Sequence, residues 1–283
     1  MNYRHAFHAG NAVDVAKHVA LVALLGALQR KPAAYAYLET HAGRGRYALD
    51  SDEALQSGEA HEGIQRLRAQ RAGLEGAVAR YLALVDAENP GINPTAPARR
   101  YPGSPLLAAA LARAGDRMVL CESDRDEAEH LRQALRSAAR AEVRCTDGWR
   151  ELDALLPPIE RRGLVLIDPP YEAADEFRRA ADAMLAALVR WPSGVIALWH
   201  PLKATAEAAG LEHRLVAAAP TKVLRIAFRT RPDGPGLLGC GMLVANPPFA
   251  LGEMLARELA VAVRIVAPGR GGVTVDWLVP ERD

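Results

Sequence analysis

The sequence predicts an α/β protein built on a doubly wound, Rossmann-like, mostly parallel sheet, and three observations carry that expectation. The first is the stretch LVLIDPPYE, residues 164–172, in which four aliphatic residues end abruptly in an acid and two prolines. A short apolar run bounded by a breaker is the pattern of a strand buried on both faces, as in a parallel sheet covered by helices. The second is a regular alternation of strand-like and helix-like segments from RMVLCES onward, the order that builds parallel βαβ units. The third is that three successive strand-like runs each close on an acid, Glu122, Asp147 and Asp168. In open α/β sheets the carboxyl edge is where ligands bind, so acids repeated there point to chemistry rather than packing.

The elements follow in order. Residues 11–30 place apolar residues at helical spacing, with Asn11 as N-cap and Asp14 in the first turn, where an acid complements the helix dipole. AYAYLE reads as the first strand, ending near Glu39, and THAGRGRY as a glycine turn. Residues 52–88, rich in Ala, Leu, Arg and Glu, read as helix, and NPGINPTAPARRYPGSP as a proline-rich loop. Residues 50–100 therefore form a helical insertion after the first strand of a single domain spanning 1–283. Strand RMVLCES, helix DEAEHLRQALRSAA, strand AEVRC, short helix WRELDALL and strand LVLID come next. A helix over 174–190, strand GVIALWH, a further helix and two β-rich runs, TKVLRIAFR and LLGCGMLVANPPF, complete the pattern.

Composition narrows the function. With 35 basic and 34 acidic residues among 283, no global field advertises a polyanion partner, so any nucleic-acid surface is local. The three cysteines, Cys121, Cys145 and Cys240, are far apart and offer neither a disulfide framework nor a metal-ligand spacing. The start MNYRHAFHAGN has no apolar signal core, and no apolar run approaches the roughly 20 residues that span a bilayer. A soluble, cytoplasmic protein is expected, acting as a monomer and without a metal.

ETHAGRG places Gly43 and Gly45 where a Rossmann-type sheet turns from its first strand, and glycines there let the backbone approach a nucleotide ligand. The third glycine of a dinucleotide fingerprint is missing, which counts against NAD or FAD. In DPPY the prolines stiffen the loop and remove donors, leaving a carboxylate and carbonyls as a rigid set of acceptors beside the ring of Tyr171. Such a set suits an aromatic ligand that carries an amino group. Asp14, Lys17 and His18 share one helix face, and four of the eight histidines lie within the first 41 residues.

The glycine turn, Glu122, Asp147 and DPPY, in this order, resemble a class I S-adenosylmethionine-dependent methyltransferase that methylates amino groups. YRHAFHAGNAVDVAKH, YLETHAGRGRY, YPGSP and LVLIDPPYE are further similar to the RlmJ family, which methylates N6 of an adenine in 23S ribosomal RNA. The resemblance runs over nearly the whole chain and includes a helical insertion. It implies that Asp168, Pro169 and Tyr171 are catalytic, with the Asp168 carboxylate and Pro169 carbonyl taking the amine hydrogens and Tyr171 stacking on the base. It implies a cofactor pocket of His18, His41, Gly43, Ser104, Glu122, Asp147, Gly148 and Asp168, in which Glu122 takes the ribose and Asp147 the cofactor's adenine amine. Tyr3, His5, Lys17 and Tyr171 are implied at the RNA or target base, and the partner is 23S rRNA, protein-free or early in assembly. Arg99 and Arg100 are candidates for phosphate contacts.

The rivals are a DNA adenine or protein-glutamine methyltransferase using the same motif, a catalytically silent RNA-binding protein on this scaffold, and an NAD-dependent oxidoreductase. An insertion of about 50 residues is small for reading DNA sequence, and RNA of defined shape suits a compact enzyme better. NPPF, residues 246–249, also satisfies the amine-methylating pattern. As a fourth strand LVLIDPPY leaves the expected three strands to follow, whereas NPPF comes too late and is expected to cap a late antiparallel strand. Methyl transfer by Asp168→Ala is therefore expected to be abolished, while Asn246→Ala leaves most of it. The reverse result in a labelled-methyl assay would relocate the active site.

Overall fold

A computed structural model of the chain describes residues 5–138, 140–173, 175–203, 205–232, 234 and 236–281, so Tyr3 lies outside the described residues. After a short 3-10 turn, His5–Phe7, the chain enters α1 (Ala12–Gln29) and then β1 (Ala36–Glu39), β2 (Arg46–Ala48), α2 (Asp52–Ser57), α3 (Arg66–Ala69) and α4 (Gly76–Ala87). β3 (Arg100–Pro102), α5 (Ser104–Leu111), β4 (Arg117–Glu122), α6 (Arg125–Ala134), β5 (Ala141–Cys145), α7 (Gly148–Leu155) and β6 (Gly163–Ile167) follow. The last part comprises α8 (Glu176–Arg190), β7 (Val195–Leu202), α9 (Ala206–Ala218), β8 (Val223–Arg229), β9 (Gly239–Ala245), α10 (Leu251–Val266) and β10 (Gly272–Val279).

The main sheet has eight strands in the order β10-β8-β9-β7-β6-β1-β4-β5. The five strands from β7 to β5 run parallel, and β9, β8 and β10 are antiparallel to their neighbours. This is the doubly wound sheet expected from the apolar runs. Strand alternation divides the core as a two-sided sheet requires. Tyr37, Leu164, Leu166, Met118 and Leu120 pack against the layer containing α1, α4, α5, α6 and α10. Leu38, Val165, Ile167 and Val119 pack against α7, α8 and α9.

α1 begins where expected, because the Asn11 side chain accepts from the Asp14 amide at 2.8 Å. Its 18 residues and mean hydropathy of 1.5 make it long and apolar enough to cross a membrane, contrary to the expectation that no such run exists. The share buried inside the protein, 83%, identifies it instead as a core helix. Asp14, Lys17 and His18 are consequently buried too.

Four features depart from the expected elements. The helix expected over 52–88 is broken: α2 ends at Gly58 in the left-handed region (φ 65°), and a π-helical turn, His61–Gln65, carries Gly63 at φ −95°, ψ −110°. A Cβ on Gly63 would lie 2.1 Å from the Gly10 carbonyl, so only glycine lets this turn seat on the start of α1. Within the expected loop, β3 pairs with β2 as an antiparallel ribbon that closes the base of the insertion, and α5 starts at Ser104 with Pro105 in its first turn. Four strands follow β6 rather than three, because β10 adds to the edge beside β8.

NPPF is therefore not too late for the sheet, and another constraint removes it from the site. β9 is antiparallel to β7, with Ala245 opposite Ile196, so Asn246 leaves the sheet at the edge away from Asp168. There its amide donates to the carbonyls of Pro192 at 2.7 Å and Gly194 at 2.9 Å and accepts from Thr221 at 2.7 Å. Asn246 closes a turn at φ 49°, a structural task suited to asparagine.

Candidate active site at the carboxyl edge of the sheet

The parallel strands β1, β4, β5 and β6 deliver Glu39, Glu122, Asp147 and Asp168 to one edge. β6 is buried along its whole length, so its end is fixed by packing. Asp168 then leaves the sheet just before Pro169 and Pro170. Lys17 of α1 donates from Nζ to Asp168 Oδ2 at 2.9 Å and lies 3.1 Å from Asp14 Oδ1. Asp14 Oδ2 is 2.9 Å from His5 Nε2 and accepts from the Gly10 amide at 3.0 Å. Burial pushes Asp14 upward, but His5 and Lys17 together outweigh it and hold the carboxyl well below the usual range. Asp14 and Lys17 of the expected trio join His5 and Asp168 in a ladder, His5–Asp14–Lys17–Asp168, while His18 turns to other partners; Lys17 Nζ is also 5.5 Å from the Trp199 ring centroid.

Tyr171 sits at φ 55°, an uncommon conformation for an aromatic residue and one that concentrates at functional loops. Its hydroxyl donates to the Trp199 carbonyl at 2.6 Å, and its ring packs against Phe177 with centroids 4.6 Å apart. The ring is 8% exposed, so it is clamped at the site boundary rather than free in the cleft. Pro169 is buried.

On the cofactor side, Gly43 (φ 63°) and Gly45 (φ 79°) form the turn after β1. Glu122 accepts the Gly43 amide on Oε2 at 2.7 Å and the Asp124 amide on Oε1 at 2.9 Å, which locks the carboxylate under the turn. Burial raises its pKa. Asp147 caps α7 by accepting the Trp149 amide at 2.9 Å. A Cβ on Gly148 would come within 1.9 Å of the Thr40 carbonyl, so glycine allows α7 to abut the end of β1. His41 stands edge-on to Trp149 at 4.7 Å and bonds Thr40 at 2.8 Å, and burial lowers its pKa to about 4. His18 bonds the Tyr101 hydroxyl at 2.7 Å, which meets Tyr81 at 2.9 Å, and burial takes His18 down to about 3. His18 therefore ties α1 to β3 and α4 as a neutral ring.

Glu39 is the residue the sequence reading left out. It ends β1 fully buried, with donors from Ser104 Oγ at 2.5 Å and Tyr37 at 2.8 Å, and burial raises its pKa to about 8. The rule that singled out the other three acids, an acid at a parallel strand's end, applies to it equally. Ser104, expected in the cofactor pocket, is thus committed to Glu39.

A folded pKa above the unfolded value means that the native state holds the proton more tightly. Glu39 then contributes stability that is fully present below about pH 4.5 and lost as pH rises to about 8. Chemical denaturation of wild type and Glu39→Gln between pH 4.5 and 8 should show wild type losing stability relative to the variant by up to a few kcal/mol, with no further divergence above that window. Parallel curves for the two proteins would contradict a neutral, buried Glu39.

The comparisons with known proteins agree with this arrangement. A family profile described as "Ribosomal RNA large subunit methyltransferase D, RlmJ" matches residues 32–279. The chain is 38% identical to the Ribosomal RNA large subunit methyltransferase J of Haemophilus influenzae and 37% identical to that of Escherichia coli, each over 99% of this chain and 100% of the relative. A crystal structure of a Legionella pneumophila protein superposes with a TM-score of 0.88 at 31% identity, covering 95% of this chain and 98% of that one. Sequence similarity over the full length, together with the sheet and its acid-lined edge, places the chain in the RlmJ family of ribosomal RNA large subunit methyltransferases.

Proposed function

We propose that the protein transfers a methyl group from S-adenosylmethionine to the N6 amine of an adenine in 23S rRNA, with Asp168, Pro169 and Tyr171 at the reacting base. The observation that carries this reading is the Asp168 carboxylate, set in a rigid Pro-Pro loop at the carboxyl end of β6 and held on one oxygen by Lys17. Among the described residues its other oxygen accepts no hydrogen bond.

An adenine amine is a poor nucleophile because its lone pair is delocalised into the ring. Acceptors aimed at its hydrogens, the Asp168 carboxylate and the Pro169 carbonyl, favour a pyramidal nitrogen and stabilise the positive charge that develops there. The pair at Lys17 fixes the direction of Asp168, which is the positioning such catalysis requires. Asp168 can then take the proton released as the N–C bond forms. Tyr171, clamped through Trp199, offers the ring against which an unpaired or flipped base rests.

The cofactor fits the residues present. Gly43 and Gly45 make the tight turn after β1, Glu122 is pinned beneath it, and Asp147 and Gly148 start α7 against Thr40, beside His41. S-adenosylmethionine, when bound, supplies an electrophilic methyl group on sulfonium. Ser104 supports the pocket through Glu39. Residues 50–100 belong to the same catalytic unit on this reading, supported by the His18–Tyr101–Tyr81 chain across it. The protein works in the cytoplasm as a monomer, on 23S rRNA that is protein-free or early in assembly.

The test is labelled methyl transfer from S-adenosylmethionine to protein-free 23S rRNA lacking the modification, followed by nucleoside analysis. Label is expected in N6-methyladenosine. Label in another nucleoside, or tight cofactor binding with no label on the RNA, would contradict the proposed substrate.

A further inference from the structure

Away from the carboxylates, the β2–β3 ribbon and α6 enclose an open groove of about 490 Å³. Arg44, Arg46 and Arg100 line it from the turn and the ribbon, and His130, Gln133 and Arg136 from α6 and the turn after it. No acidic residue lines it. Arg44 is paired with Glu127, and Arg46 with Glu88 at 2.6 Å, which fixes both guanidinium groups in place. Arg100 and Arg136 are exposed and make no ion pair among the described residues. Glu127 and Glu88 offset Arg44 and Arg46, so Arg100 and Arg136 carry the uncompensated positive charge along the groove.

The groove adjoins the site. Its Tyr47 wall meets the His5 ring edge-on, with centroids 4.8 Å apart, and His5 begins the ladder that ends at Asp168. The groove is thereby joined to the catalytic edge through the Tyr47–His5 contact. Fixed and free guanidinium groups spread along a ribbon and a helix turn suit a repeating anion better than a single one, and guanidinium pairs with phosphate through two parallel hydrogen bonds. Gln133 and His130 add polar groups able to reach sugar hydroxyls, which protein side chains contact readily in RNA.

We infer that this groove takes the sugar-phosphate backbone of the RNA that flanks the target nucleotide, an inference that rests on the rRNA reading of the site. Arg100 and Arg136 make the phosphate contacts, while Arg44 and Arg46 shape the track. None of the four touches the carboxylates at the reacting end.

The double variant Arg100→Ala, Arg136→Ala tests it, with filter binding to protein-free 23S rRNA across a salt series. Loss of two phosphate contacts should lower the slope of log affinity against log salt by about 1.5 to 2 and weaken binding roughly tenfold or more at moderate salt. In methyl-transfer assays KM for RNA should rise while kcat at saturating RNA and the Kd for S-adenosylmethionine stay near wild type. An unchanged slope and affinity would overturn the assignment. So would an equal fall in slope for Arg178→Ala, Arg214→Ala, whose exposed arginines lie on α8 and α9. A wild-type protein that methylates no adenine in this RNA would sink the reading of the catalytic site instead, and the binding slopes would still judge the groove.

Discussion

The structure turns on one lysine. Lys17, 7% exposed on the core helix α1, bridges Asp14 on its own helix and Asp168 at the end of β6. Removing one partner from a buried ion pair leaves an uncompensated charge and costs about 3 to 5 kcal/mol. α1, β6 and the DPPY loop are therefore held in one relative position. Because α1 is buried on nearly all sides, it cannot turn to relieve the pair, and Asp168 is directed by the core of the protein rather than by its own loop.

The surroundings concentrate charge on that ladder. Burial lowers His18 to about 3 and His41 to about 4 and raises Glu39 to about 8, so all three are uncharged near neutral pH. Asp14, Lys17 and Asp168 form the ion-paired centre of the site, in a region where water screens them little. A site of this kind acts by preorganised polarity: acceptors stand ready for an amine that becomes positive, with little rearrangement needed as it does. Tight backbone approaches keep the geometry. Gly148 lets α7 abut Thr40, and Gly63 seats the insertion on the entrance to α1.

Much of this was legible in the sequence because it depends on local pattern. Apolar runs ending in acids identified β4, β5 and β6 and their edge, and Gly43 and Gly45 do form the turn after the first strand, both at positive φ. What was not legible depends on distant partners. Asp14, Lys17 and His18 form a polar helix face that sequence alone cannot distinguish from a solvated one, and only Asp168, 151 residues from Lys17, explains why it is buried. The β2–β3 ribbon joins three-residue strands across the insertion, too short for alternation to show. The breaks at Gly58 and Gly63 follow from helix ends and a close contact that composition hides. The clamp on Tyr171 needs the Trp199 carbonyl from the next strand. Buried His200 has no hydrogen-bond partner on either ring nitrogen among the described residues and packs over Gly241.

The most direct test of the ladder is single-turnover methyl transfer by Lys17→Met, measured beside its Kd for S-adenosylmethionine. If Lys17 positions Asp168, the rate should fall by about a hundredfold or more while cofactor binding stays within about twofold, because the loss lies at the reacting amine and not in the cofactor pocket. A wild-type rate in a folded, cofactor-binding variant would show that the buried pair only holds the fold together and that Asp168 finds its direction without it.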